Sequence, residues 1–156
     1  MTSKKPPTRQ LPLIGWREWV SLPDFDVQAI KVKVDTGARS SSLHAFNERT
    51  FLREDREWIA FDIHPLQRNA KVSIRVEAPL LEYRQVRSSS GHSARRPVIL
   101  VHVKWMEHYF PIELTLARRD QMGFRMLLGR QAVRGRFLVD SGHSFLGGKP
   151  AKTSRR

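Results

Sequence analysis

Cysteine is absent from the 156 residues. That excludes a disulfide scaffold, a thiolate nucleophile and any cysteine-bound zinc. Long apolar runs are absent too, and nothing approaches the roughly 20 residues a membrane-spanning helix needs. The first ten residues carry charge and proline with no apolar segment behind them, which is unlike a secretory signal. A cytoplasmic protein without a membrane partner is therefore expected. The six histidines include no His-Glu-x-x-His pair, and no glycine-rich loop ends in Lys-Ser or Lys-Thr. Neither a helical zinc site nor a phosphate-cradling loop is available, so no metal and no cofactor are expected. Ser40-Ser41-Ser42 lacks the Gly-x-Ser-x-Gly frame of a nucleophile elbow. Acidic residues are scarce, 15 against 28 lysines and arginines, for a net charge of +13.

Such a charge favours an acidic partner. The arginines are spread along the chain, and no zinc-finger spacing, RNP pattern or basic helix organises them. Nucleic acid is therefore the second choice, behind an acidic polypeptide. The length suits one domain with a single core. We place it at residues 11–147, between basic tails at 1–10 and 148–156 that lack the apolar content to order themselves.

Periodicity along the domain is two. Strands are expected at 13–21, 28–34, 57–64, 70–77, 82–88, 97–105, 108–117 and 136–140, separated by turn chemistry such as Leu22-Pro23-Asp24 and Trp105-Met106-Glu107-His108. A helical turn is expected at 48–54. One short helix should follow Gly129 through Gln131–Arg134, stopped by Gly135. Many short strands with Gly, Pro and Ser turns make an all-β, barrel-like fold. Trp16, Trp19 and Trp58 read as sheet-packing aromatics rather than base-stacking platforms.

Within this pattern one strand stands out. Val32-Lys33-Val34 alternates and runs into Asp35-Thr36-Gly37-Ala38. The alternation buries the valines, Gly37 permits a tight turn, and a strand ending this way presents its carboxylate outward. Far downstream, Leu127-Leu128-Gly129-Arg130 supplies two apolar residues followed by Gly-Arg. A second triplet, Asp140-Ser141-Gly142, ends Phe137-Leu138-Val139, but no apolar-apolar-Gly-Arg element follows it, so Asp140 is assigned an accessory role.

These blocks, together with Ile14–Pro23, Val34–Ala45 and Arg96-Pro97-Val98, resemble the RimB group of retropepsin-like aspartic peptidases, a group also labelled ATP-dependent zinc proteases. The resemblance implies a small closed β-barrel of the acid-protease type with one short helix after the Leu-Leu-Gly-Arg element. It also implies a homodimer, because aspartic peptidases need two carboxylates sharing one proton. Asp35 from each subunit would form that dyad, braced by Thr36, Gly37 and Ala38, with Leu127, Leu128 and Gly129 beneath the loop. The order of elements places a flap near 84–96, with Ser90, Gly91 and His92 at its tip.

Arg39 stands where viral relatives carry an aspartate, and Arg130 is retained. Two guanidiniums beside one cleft, with Ser40, suit an acidic peptide, such as a glutamate-rich one. The competing expectation is that Arg39 pairs internally with Glu18 or Asp62. The rival functions are a silent binding module for an acidic or RNA partner, and a metal-dependent peptidase.

Overall fold

The computed structural model describes residues 10–65, 71–87, 91–118 and 123–149. Its strands are β1 (Leu13–Gly15), β2 (Arg17–Leu22), β3 (Val27–Asp35), β4 (Ser41–His44), β5 (Phe46–Arg53), β6 (Arg56–Ile63), β7 (Ile74–Arg87), β8 (Ser93–Trp105), β9 (His108–Ala117), β10 (Met126–Gly129) and β11 (Leu138–Asp140). The single α-helix among these residues, α1, is Arg130–Val133. The fold is all-β. Nine strands follow the order β2-β3-β10-β4-β9-β8-β7-β6-β5, and β1 pairs with β11 in a separate small sheet. Ser21 of β2 also pairs with Lys104 of β8, which closes the first six strands into a ring.

Alternation builds the inside of that ring. Val20, Val32, Leu43, Val101, Leu114, Leu116, Met126 and Leu128 are fully buried, and along β2, β3 and β8 they alternate with more exposed residues, while Met126–Gly129 of β10 is buried throughout. Fully burying an aliphatic side chain contributes about 1.5–3 kcal/mol, so this row is the main stabilising term. No helix in the described residues is long and apolar enough to cross a membrane.

Three expectations need correction. Residues 48–54 form no helical turn, because β5 pairs antiparallel with β6 over Arg49↔Ala60 to Arg53↔Arg56. Glu54 and Asp55 both take positive φ (52° and 63°), the geometry of a two-residue hairpin turn. The strands expected at 70–77 and 82–88 are one strand of 14 residues, β7. It exchanges partners at its proline: Pro79 is the last residue paired with β6, and pairing with β8 begins at Leu80. A proline cannot donate to a ladder, so it sits where the ladders change over. Finally, 13–21 is broken at Trp16 into β1 and β2. The hairpin of β8 and β9 lies where the pattern put it. The expected tails fall almost wholly outside the described residues.

Glu18 closes the break at Trp16. It is 0% exposed, and its carboxylate accepts four N–H bonds. Gly15 (2.7 Å) and Leu146 (3.0 Å) donate to Oε2, and Trp105 Nε1 (3.1 Å) and Gly147 (3.2 Å) to Oε1. The buried charge is thus fully hydrogen-bonded, as burial requires. Replacing Glu18 with Gln would turn an NH₂ toward two of those donors. The expected cost is about 2–4 kcal/mol, read as a lower urea midpoint at unchanged slope. An unchanged midpoint would remove Glu18 from the clamp.

Candidate active site

β3 delivers Asp35 to the surface. Val32 and Val34 are anchored in the core, so Lys33 and Asp35 point the other way. Beyond Asp35 the chain turns at once. The Gly37 N–H donates to Asp35 Oδ1 (3.0 Å) and the Ala38 N–H to the Asp35 carbonyl (3.2 Å). Thr36 and Gly37 are exposed. The other carboxylate oxygen, Oδ2, has no hydrogen-bond partner among the described residues, so it is open to a reacting group.

β10 lies parallel to β3 and fixes that turn from beneath. Leu128 pairs with Val34 and Gly129 with Asp35. A Cβ on Gly129 would stand 2.4 Å from the Ser40 carbonyl oxygen and 3.0 Å from that of Ala38. This is a requirement for space, since the Gly129 backbone (φ −87°, ψ 177°) is ordinary extended chain. The Arg130 N–H donates to the Ala38 carbonyl (2.6 Å), the Gln131 N–H to that of Arg39 (3.1 Å), and Arg130 Nη1 to that of Thr36 (2.8 Å). The Gly129 N–H is met by Ser41 Oγ (3.0 Å). The loop bearing the carboxylate is thus tied down through three carbonyls, those of Thr36, Ala38 and Arg39.

The arrangement occurs twice, which the sequence reading missed. β1 and β11 are also parallel, with Ile14 paired to Val139 and Gly15 to Asp140. The Gly142 N–H donates to Asp140 Oδ1 at 3.0 Å, the counterpart of Gly37 on Asp35. The Trp16 N–H donates to the His143 carbonyl (3.0 Å), as Arg130 does to Ala38. A Cβ on Gly15 would stand 2.6 Å from that same carbonyl. The apolar-apolar-Gly element that supports the Asp140 turn is Leu13-Ile14-Gly15, at the other end of the domain. Each Asp turn therefore rests on the glycine strand that belongs, in chain order, with the other.

The two carboxylates differ in one respect. His143 Nδ1 lies 2.8 Å from Asp140 Oδ2, so both oxygens of Asp140 are engaged. The Gly142 N–H, and after it His143, hold the Asp140 carboxyl below its usual range. Asp35 is the carboxylate left open.

Arg39 follows the Asp35 turn and is exposed. Neither acid considered as its internal partner is available to it. Glu18 is held by its four donors, and Asp62 by Arg75 (3.0 Å) and Asn47 (2.8 Å). Arg39 instead borders a cleft of about 580 Å³ with Ser40, Arg84, Gln85, Glu113 and Gln131. Asp35 is not in the lining, so the cleft flanks the carboxylate. The arginine that β7 contributes to the cleft is Arg84. Arg84 binds Glu82 and also Glu113 across the sheet (2.9 Å), and these two acids raise its pKa.

β7 and β8 pair as a hairpin over the segment expected to form the flap, with Arg87 paired to Ser93. Gly91 (φ 90°) and His92 are exposed at its end, whereas Ser90 falls outside the described residues. His44 is buried and stacks on Phe46 and His64. Trp16, Trp19 and Trp58 are half-buried against Phe124, Phe145 and Phe51. Among the described residues, no three His, Asp or Glu side chains converge as a metal site would require.

Relatives agree on the domain and differ in their names. A probable alpha-L-glutamate ligase from Parasynechococcus marenigrum is 52% identical over 133 residues, which is 85% of this chain and 28% of that protein. One from Shewanella halifaxensis is 44% identical over 133 residues, or 29% of its length. The chain thus spans less than a third of these relatives. The crystal structure of protein Lpg0085 from Legionella pneumophila, of unknown function, superposes with a TM-score of 0.74 at 25% identity. The match covers 87% of this chain and 98% of that one. The family model described as retropepsin-like aspartic endopeptidase RimB matches residues 13–150, from β1 to beyond β11. With both Asp turns and both glycine strands inside the matched segment, the chain belongs to the RimB-like family of retropepsin-like aspartic endopeptidases.

Proposed function

We propose that the chain is an aspartic endopeptidase that works as a homodimer on acidic, glutamate-rich peptides. The observation that carries this reading is the Asp35 turn. It is a surface carboxylate clamped by Gly37 and Gly129 with one oxygen open, beside a cleft that Arg39 borders without an internal carboxylate partner. Two copies related by a two-fold axis would bring the Asp35 side chains together. Like charges at such distances cannot both ionise, so the pair holds one proton. The ionised Asp35 takes a proton from water as it attacks the scissile carbonyl. The protonated Asp35 donates its own proton to the developing oxyanion. On collapse one Asp35 gives its proton to the leaving amine while the other takes one back from a diol hydroxyl, which restores the one-proton dyad.

The relatives support the substrate. Their names are those of glutamate ligases, and this domain is under a third of each of them. A domain carried with a glutamate ligase meets glutamate chains, and the net charge of +13 attracts them. We place the protein in the cytoplasm on the same reasoning.

Arg39→Glu tests the substrate assignment. It should lower kcat/KM for a glutamate-rich peptide by about tenfold or more, since a charge-assisted contact contributes about 1.5–3 kcal/mol when desolvated. A neutral peptide should be cleaved nearly as before. Added salt should act in the same direction on the parent enzyme. Unchanged preference would sink the acidic-substrate reading. RNA binding that needs neither Arg39 nor Asp35 would favour a binding module instead.

A further inference from the structure

We propose that Glu113 is a built-in competitor for the acidic substrate, a carboxylate that occupies the second anion position of the cleft until a substrate carboxylate displaces it. The inference rests on the acidic-substrate reading above and adds a specificity-determining residue to it. The cleft has two guanidiniums, and they stand in different states. Arg39, exposed after the Asp35 turn, is paired with no carboxylate among the described residues, and Arg84 is paired with two.

The two acids on Arg84 are not equivalent. Glu82 lies two residues away on the same strand, so it accompanies Arg84 wherever β7 goes. Glu113 reaches Arg84 from β9, across the intervening β8, and lies in the lining of the cleft itself. The Arg84–Glu113 pair is 2.9 Å long and its two side chains are 31% and 50% exposed. A pair that exposed is held weakly and opens readily. Glu113 thus has the properties of an occupant rather than a strut: it carries the charge of the substrate, sits on the cation the substrate would use, and costs little to move.

Two consequences follow for recognition. A peptide with one carboxylate can be met at Arg39 and never needs Arg84. A peptide with several carboxylates can also take Arg84, but only by displacing Glu113 against its negative charge. The cleft therefore admits single-carboxylate peptides weakly, and it binds chains of carboxylates less tightly than two arginines alone would. A product shortened to few carboxylates is released as Glu113 returns.

The test is fluorescence anisotropy with two labelled probes, an oligoglutamate and an otherwise uncharged peptide of equal length carrying a single glutamate. All variants are made in the full-length Asp35→Asn background, so that nothing is cleaved. Glu113→Gln should tighten the oligoglutamate by about threefold to fivefold, the upper range of a weak surface ion pair, and change the single-glutamate probe by less than twofold. Glu107→Gln removes the same charge from an exposed site outside this cleft and should change neither probe. Equal tightening of both probes by Glu113→Gln would reduce the effect to net charge and overturn the inference. So would no change, or weaker oligoglutamate binding, which would make Glu113 a support for Arg84. Arg39→Glu separates the two levels. If it abolishes oligoglutamate binding while Glu113→Gln does nothing, the competitor fails and the substrate reading stands. If Arg39→Glu leaves binding intact, the substrate reading itself fails.

Discussion

Asp35→Asn is expected to abolish peptide cleavage, by about 10³-fold or more in kcat, with the thermal midpoint unchanged. Asn has the volume of Asp and keeps the oxygen that accepts the Gly37 N–H, so the turn is preserved. What it loses is the ability to share a proton with its mate and to take one from water, and general acid–base catalysis contributes factors of 10²–10⁴. Asp140→Asn is the matched control. It also keeps its turn, through Gly142, but exchanges the charged partner of His143 for an amide. Cleavage should persist, with a small loss of stability.

That loss has a predictable pH range. The Asp140 carboxyl is held below its ordinary value of 3.8, so its stabilising effect is present above that value and lost as pH falls through the lowered one. The stability difference between parent and Asp140→Asn should therefore close in strong acid. Cleavage that survives in Asp35→Asn and vanishes in Asp140→Asn would exchange the roles of the two turns.

Where the sequence was legible, one strand face and one turn carried the information together. Val32 and Val34 alternate, Asp35-Thr36-Gly37 ends the alternation, and no distant contact is needed to see a presented carboxylate. The β8–β9 hairpin was legible for the same reason, with period-two runs on both sides of a turn. β5 was not, because it is the outer strand of the sheet and both of its faces are largely exposed, so Asn47, Glu48, Arg49 and Thr50 show no alternation. The continuity of β7 was hidden by Pro79, which usually ends a strand and here marks a change of partner.

The parts of the site that escaped the sequence are long-range pairings. Arg84 and Glu113 are ordinary surface residues until β8 brings their strands to either side of it. Gly15 looked like part of a continuous strand from 13 to 21, and nothing near it announces a partner at Asp140. Parallel pairing between the two ends of a domain leaves no local period to read. The absence of an apolar-apolar-Gly-Arg element after Asp140 then argued, misleadingly, that its turn had no counterpart of β10.

The duplicated support predicts a dissociation between stability and catalysis. Gly129→Ala and Gly15→Ala should both destabilise the fold by about 2–3 kcal/mol, the usual cost of forcing a methyl group into packed backbone. On Gly129 the new Cβ meets Ser40 and Ala38 carbonyl oxygens, and on Gly15 it meets that of His143 and the buried Glu18 carboxylate. None of these can yield without moving a turn. The turns they move are different. Gly129→Ala displaces the loop through Thr36 to Ser40, and with it Asp35 and the Arg39 edge of the cleft. A misplacement of an ångström at reacting groups costs about 10²-fold in rate. Gly15→Ala displaces the Asp140–His143 turn and leaves β10 beneath Asp35 untouched. Measured well below both thermal midpoints, so that each variant is folded, cleavage by Gly129→Ala should fall about 10²-fold and that by Gly15→Ala by less than about threefold. Equal losses would mean that the two turns act on the chemistry as one unit, and that Asp140 is more than an accessory to Asp35.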